Sequence, residues 1–192
     1  ALVNPNNPTG HIFTNDEMDA VVAAAQRVGA WILADEVYRG AERVQVAETP
    51  SFFGRYDKVI AIGSMSKAYG LPGLRVGWIV GPSNTIEDIW RRHEYTTITA
   101  SMISNHLAAH ALSLQVRPML IERARQYIQK GYPVLKDWMD SQHGIFHYTP
   151  PQASAVTFIR YDLPINSTAL MHRLISETGV FVAAGDSFGM DK

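Results

Sequence analysis

Short apolar runs alternate along the chain with stretches of helical periodicity. Three apolar runs, residues 31–34, 59–62 and 76–80, are bounded by polar residues or glycine, a pattern typical of strands buried on both faces. Apolar residues recur every three or four positions over residues 18–28, directly after a capping-box sequence at 14–17, and indicate a helix. This alternation predicts an α/β fold whose larger part is built on a mainly parallel sheet.

The second half of the chain is predicted to be more helical. Residues 86–114 have helical periodicity, and residues 118–142 predict one long amphipathic helix. After Gly144 the elements become shorter, with a helix predicted over residues 167–178 and strands at residues 145–148, 155–159 and 180–183. We therefore predict a partial large domain, a connecting helix and a smaller α+β lobe, over residues 1–115, 116–142 and 143–192.

Composition and charge exclude several classes of protein. The 192 residues include 17 basic and 18 acidic side chains, and no basic cluster predicts binding to nucleic acid. The chain has no cysteine, which excludes disulfides and thiolate metal sites and favours a cytoplasmic location. No apolar run approaches the ~18 residues of a membrane span, and the seven histidines lack metal-ligand spacing, so neither a membrane segment nor a metal site is predicted.

The residues with the most distinctive chemistry surround Lys67. A lysine in a turn is ordinarily a surface residue, but Ser64 and Ser66 come just before this one and Arg75 follows it by eight residues. An amine can form a Schiff base with an aldehyde, while hydroxyl groups and a guanidinium can hold a phosphate. The segment therefore predicts a site for an aldehyde cofactor that carries a phosphate, and the candidate is pyridoxal phosphate.

Polar residues also follow two other predicted strands. Asp35 and Tyr38 come after the strand at 31–34, where open α/β sheets bind ligands. Asp35 is suited to pair with a pyridinium nitrogen, but it could equally cap a helix, and Tyr38 could be a core residue. Asn7, in the loop at residues 4–10, could donate to a phenolic oxygen or serve only as a turn residue.

Together these motifs resemble those of the class I/II aminotransferases, enzymes of fold type I that use pyridoxal phosphate. The match runs through residues 4–10, 35–38 and 64–77, and their order and spacing are similar to the family's. The resemblance implies that Lys67 attaches the cofactor as a Schiff base and that Asp35 pairs with its ring nitrogen. It also implies contacts from Asn7 and Tyr38 to the phenolic oxygen, and from Ser64, Ser66 and Arg75 to the phosphate.

The activity implied is transfer of an amino group between an amino acid and a 2-oxo acid, by an enzyme that is a homodimer when complete. The same motifs would also serve a pyridoxal phosphate lyase or cyclising synthase of this fold. A further alternative is the aminotransferase-like sensor domain of a transcriptional regulator. The motifs hold the cofactor and not the substrate, so the particular amino acid is left open.

Several features of the family cannot be located in this sequence. Members carry an upstream glycine-rich phosphate loop, an aromatic residue that stacks on the cofactor, a tyrosine from the neighbouring subunit and a downstream arginine that binds the substrate carboxylate. Residues 1–3 look like the end of a strand, and residues 185–192 resemble a segment that precedes this arginine. We therefore predict that the chain is an internal part of a longer polypeptide.

Overall fold

The computed structural model describes residues 1–190, which form two compact units. The first unit comprises residues 1–132 and 150–157, and the second comprises residues 133–149 and 158–190. Asp191 and Lys192, which end the segment singled out at residues 185–192, lie outside the described residues. No helix in the described part of the chain has both the length and the apolar content that a membrane span requires.

The first unit is built on a four-stranded sheet. Its strands, in their order across the sheet, are β1 (Leu2–Val3), β2 (Ile32–Asp35), β3 (Val59–Ser64) and β4 (Gly77–Val80). The first three are parallel to one another, and β4 runs antiparallel to β3. The prediction of an α/β fold with a mainly parallel sheet is confirmed.

The prediction that these strands are buried on both faces is wrong for β2 and β4. In β2, Ile32 is buried and Leu33 is 41% exposed, and β4 leaves Ile79 42% exposed. Residues of α1 (Asn15–Val28) cover one face of β2 and β3, where they join a core cluster with Phe52. Apolar composition alone did not distinguish strands with one covered face from strands with two.

Trp78 of β4 lies on the backbone of Gly63 in β3. The two residues are paired across the strands, and a Cβ atom added to Gly63 would come within 2.2 Å of the indole ring. Position 63 therefore has no room for a side chain while the tryptophan stays in place.

The helices begin and end close to the predicted positions, with one exception. Beside α1, the first unit contains α2 (Ser83–His93) and α3 (Met102–Ala111), and α4 (Arg117–Asp140) runs from the first unit into the second. The helical stretch predicted over 86–114 is interrupted by turns at residues 94–101. Three threonines and an isoleucine in this segment disfavour helix, and Ile98 has a φ of 62°.

The second unit contains a two-stranded antiparallel sheet of β5 (Phe146–Tyr148) and β6 (Ile159–Tyr161), followed by α5 (Ser167–Thr178). The helix agrees with its prediction, and the side chain of Asn166 caps it by accepting from the Ala169 amide. The predicted strand at 180–183 is absent from the described residues, since Phe181 is exposed and no neighbouring strand pairs with this segment. Residues 150–157 join the first unit instead of forming the start of a strand.

Candidate active site

Three of the sequence motifs begin at one edge of the sheet, because the carboxyl ends of parallel strands lie side by side. Asp35, the last residue of β2, is in register with Val3 of β1 and with Ile62 of β3. The Asn4 amide donates to the carbonyl oxygen of Asp35 at 2.9 Å, so the asparagine loop starts beside this carboxylate residue. Asn7 is exposed in that loop, and its side chain makes no hydrogen bond to another described residue.

Strand β4 brings Arg75 to the same edge because it runs antiparallel to β3. Ser64 is paired with Gly77, two residues after Arg75. Arg75 itself is exposed and has a φ of 54°, and its Nη1 donates to the carbonyl oxygen of Pro72 at 2.9 Å. A left-handed conformation costs energy in a residue with a side chain, and such strain is concentrated at functional sites.

The side chains of Lys67 and Tyr38 face each other across a cavity. The Nζ atom of Lys67 lies 5.9 Å from the centre of the Tyr38 ring. Both residues line a cavity of about 560 Å³, together with Ser66, Arg123 and Tyr127. The amine and hydroxyl groups have no hydrogen-bonding partner among residues 1–190, so both can bind a ligand.

The surroundings of Tyr38 keep its hydroxyl group protonated. Burial raises the pKa of the Tyr38 phenol above its ordinary value, and the negative charge of Asp35 raises it further. At neutral pH the hydroxyl is therefore a hydrogen-bond donor. Asp35 uses one carboxylate oxygen, Oδ1, to accept from the Val37 amide at 3.1 Å, and within the described chain its other oxygen has no partner. No helix follows Asp35, so a role as a helix cap is not observed.

Ser64 and Ser66 are separated by one residue and do not line the same cavity. The Ser64 hydroxyl oxygen accepts from the Ser66 amide at 3.0 Å, which leaves the Ser64 hydroxyl proton available to another acceptor. Ser66 lines the cavity that contains Lys67, whereas Ser64 lines a separate cavity of about 220 Å³ between β3, β4 and Arg117. Asn7, Asp35 and Arg75 line neither cavity.

The sequence pattern did not single out Asn4, whose main-chain amide lies beside Asp35. Its side chain is fully buried, and its Oδ1 accepts from the Phe13 amide at 3.0 Å. The amide nitrogen of Asn4 has no partner among the described residues. Its position at the start of the asparagine loop, directly after β1, was the available signal.

Comparisons with known proteins agree with this arrangement. A family model described as aminotransferase class I and II matches residues 1–192. The chain is 31% identical to the capreomycidine synthase of Streptomyces vinaceus, over 96% of this chain and 47% of that protein. It is 30% identical to an aspartate aminotransferase of Thermococcus kodakarensis, over 96% of this chain and 48% of that protein.

A solved structure with the same fold is a PLP-dependent aminotransferase from Streptococcus suis. It superimposes with a TM-score of 0.89 at 30% sequence identity, over 99% of this chain and 49% of that one. The chain thus spans about half the length of the curated relatives it matches. The family match over all residues and the shared fold lead to one conclusion: the chain belongs to the class I and II aminotransferase family.

Proposed function

We propose that the protein containing this chain is a pyridoxal phosphate-dependent aminotransferase, which moves an amino group between an amino acid and a 2-oxo acid. The observation that carries the proposal is the Lys67 amine facing Tyr38, at the sheet edge where Asp35 also lies. The relative from Thermococcus kodakarensis, an aspartate aminotransferase, supports this class of reaction.

The side chains at this edge fit the chemical groups of the cofactor. The free carboxylate oxygen of Asp35 suits a protonated ring nitrogen, and the protonated Tyr38 hydroxyl suits a phenolic oxygen, with Asn7 as a second donor. The groups predicted to hold a phosphate dianion are the hydroxyls of Ser64 and Ser66 and the guanidinium of Arg75. When bound, pyridoxal phosphate supplies a ring that withdraws electrons from the substrate Cα.

Lys67 would have two tasks in such a reaction. Its Nζ atom would hold the cofactor covalently before the substrate binds. As a free amine, it would carry the proton of the substrate Cα during amino-group transfer. The Tyr38 hydroxyl and the Asp35 carboxylate would orient the bound ring relative to Lys67.

Covalent attachment at Lys67 is the most direct test. The complete protein should be incubated with pyridoxal phosphate, reduced with borohydride and digested, and the peptide that contains Lys67 should gain the mass of a phosphopyridoxyl group. Lys67→Ala should abolish both the modification and amino-group transfer, and Lys130→Ala, an exposed lysine on α4, should keep both. Stoichiometric modification of a different lysine would overturn the assignment.

A synthase of the same fold is the second candidate, because one of the relatives with 31% identity is a capreomycidine synthase. The two reactions leave the cofactor in different forms. An aminotransferase given an amino acid without a 2-oxo acid should accumulate pyridoxamine phosphate, while a synthase should regenerate pyridoxal phosphate. Chromatography of the released cofactor distinguishes them.

We also propose the remaining organisation from the family resemblance. The complete protein would be a cytoplasmic homodimer, with a cofactor-binding part over residues 1–115, a connecting helix over 116–142 and a C-terminal lobe over 143–192. Light scattering of the complete protein with size-exclusion chromatography would give the subunit number. A monomer that retains full activity would contradict the dimer proposal.

A further inference from the structure

The turn that carries Lys67 is closed by its own backbone. The Gly70 amide donates to the carbonyl oxygen of Lys67 at 3.0 Å, and the Leu71 amide donates to that of Met65 at 2.9 Å. Gly70 has a φ of 65°, which a residue without a side chain adopts readily. The turn therefore leaves β3 and returns within six residues, with Lys67 near its tip.

Tyr69 fixes this turn in the core. The residue is 6% exposed, and its ring packs edge-on against Trp78 with 6.2 Å between the ring centres. Its hydroxyl group and its main-chain carbonyl are both bound by arginines of α4. Tyr69, two positions after Lys67, is thus held at both its hydroxyl group and its main-chain carbonyl.

Arg117 holds the hydroxyl end of Tyr69. Its Nε donates to the Tyr69 hydroxyl oxygen at 3.2 Å, and its two terminal nitrogens donate to the two carboxylate oxygens of Glu48 at 2.7 Å each. This paired contact fixes the plane of the guanidinium. The same contact lowers the pKa of the Glu48 carboxyl, which keeps Glu48 charged and able to bind Arg117.

Arg123 holds the carbonyl end. Its Nη2 donates to the Tyr69 carbonyl oxygen at 2.9 Å and would lie 2.9 Å from a Cβ atom at Gly70. Arg123 also lines the cavity that contains Lys67 and Tyr38. One arginine nitrogen makes this contact, so a single donor at the same place could replace it.

We propose that Arg117 and Arg123 are positioning residues for Lys67, acting through Tyr69; this rests on the function proposed above. Lys67 is exposed, and its amine has no hydrogen-bonding partner among residues 1–190 that would hold it in place. By holding Tyr69 against α4, the two arginines fix the backbone from which the lysine reaches Tyr38. A small displacement of a reacting group is sufficient to slow catalysis by about 100-fold.

The test uses the complete protein loaded with pyridoxal phosphate and two substitutions at each arginine. Arg123→Met should lower kcat about 10-fold or more with a change in KM of less than about two-fold, and it should move the pH midpoint of the cofactor's visible absorbance by about half a unit or more. Arg123→Lys should restore both values, because one donor suffices. Arg117→Lys should not restore the values of Arg117→Met, because lysine cannot bind two carboxylate oxygens and Tyr69 together.

Tyr69→Phe and Lys136→Ala complete the experiment. Tyr69→Phe removes only the hydroxyl group that Arg117 binds, so it should move the absorbance midpoint in the same direction as Arg117→Met. It also provides the test if an arginine variant folds poorly. Lys136→Ala removes an exposed α4 cation that pairs with Asp140, and it should change neither readout. The positioning role is overturned if the unsubstituted protein carries the cofactor on Lys67 while Arg123→Met and Tyr69→Phe both keep its absorbance midpoint and kcat. If the unsubstituted protein does not carry the cofactor, the proposed function is overturned instead.

Discussion

Tyr38 shows how the surroundings of one residue determine what it can donate. The ring is buried, and Asp35, the last residue of β2, is close enough for its charge to oppose ionisation of the phenol. Both causes act in the same direction and keep the hydroxyl protonated beyond the pH at which an exposed tyrosine ionises. A donor to a phenolic oxygen is therefore available across the physiological range.

Asp35→Asn should lower the pKa of Tyr38, because it removes the negative charge that opposes phenolate formation. The pKa should stay above the ordinary tyrosine value of about 10, since burial is unchanged. The difference in ultraviolet absorbance between this protein and Tyr38→Phe, titrated without cofactor, isolates the one phenol. Asp16→Asn, at an exposed carboxylate of α1, is the control, and an equal effect of both substitutions would contradict the assignment.

The sequence was sufficient to nominate candidate site residues that lie next to a predicted strand. Lys67, Asp35 and Tyr38 each stand next to a recognisable strand end, so their place at one sheet edge followed from the parallel order. The roles of Arg117 and Arg123 were not predictable in this way. Their contacts with Tyr69 join residues 48 and 54 positions apart, and nothing in the helical pattern of α4 indicates which arginines reach the lysine turn.

At the scale of elements, the start of α1 depends on one hydroxyl group. The Thr14 side chain accepts from the Glu17 amide at 3.2 Å, and the Glu17 side chain accepts from the Thr14 amide at 2.7 Å. Thr14→Ala should lower the free energy of unfolding by about 1 kcal/mol, as loss of a helix cap usually does. Urea denaturation measures the change, and Thr99→Ala, at an exposed threonine outside any helix, should change stability by less than about 0.5 kcal/mol.

The contact between Glu48 and Arg117, in the first turn of α4, should make the free energy of unfolding depend on pH in the acid range. Arg117 holds the pKa of Glu48 below its ordinary value, so the pair stabilises the fold fully above the unfolded-state pKa of about 4.3. That contribution is lost as the pH falls through the lower folded-state pKa. Glu48→Gln should therefore reduce the difference in unfolding free energy between neutral and acid pH.

Urea titrations at neutral pH and at about pH 3 measure this difference. Glu87→Gln provides the matched control, because Glu87 is exposed on α2 and forms no ion pair within residues 1–190. An equal loss of acid dependence in both variants would show that the contact with Arg117 is not its source.

Element boundaries were predictable where capping sequences marked them. The predictions failed where packing between distant segments determined the structure. The capping sequences fixed the starts of α1 and α5. The antiparallel direction of β4 was not predicted, although the connection from β3 contains only a short 3-10 turn at Pro72–Leu74 and no helix for a parallel crossover. The apolar segment at 180–183 does not form a strand, because a strand also needs a neighbouring strand to pair with. The composition of the segment does not show whether such a neighbour exists.

On the scale of the whole molecule, a buried ion pair connects distant parts of the first unit. Arg125 of α4 binds the carboxylate of Glu42 and donates to the carbonyl oxygens of Gly40 and Val46. Glu42 also accepts from the Thr49 amide at 2.8 Å and bridges to Ala153. The fully buried Glu42 carboxylate thereby joins α4 to residues 40–49, and the main chain of Glu42 links the same segment to Ala153.

Arg125→Met should destabilise the protein by about 3–5 kcal/mol, because it leaves the Glu42 charge buried without a partner. Hydrogen exchange should rise over residues 40–49 of the first unit, while α5 in the second unit keeps its protection. Arg173→Ala breaks an exposed pair with Glu177 and should leave the stability almost unchanged, because solvent screens the pair. Uniform loss of protection over both units after Arg125→Met would contradict a local role.

The close contact between Gly63 and Trp78 has a consequence for the evolution of this protein. Any mutation that adds bulk at position 63 displaces the indole, so it can be accepted only with, or after, a smaller residue at position 78. The two positions should therefore covary among descendants of this sequence, and lineages that keep the tryptophan should keep the glycine.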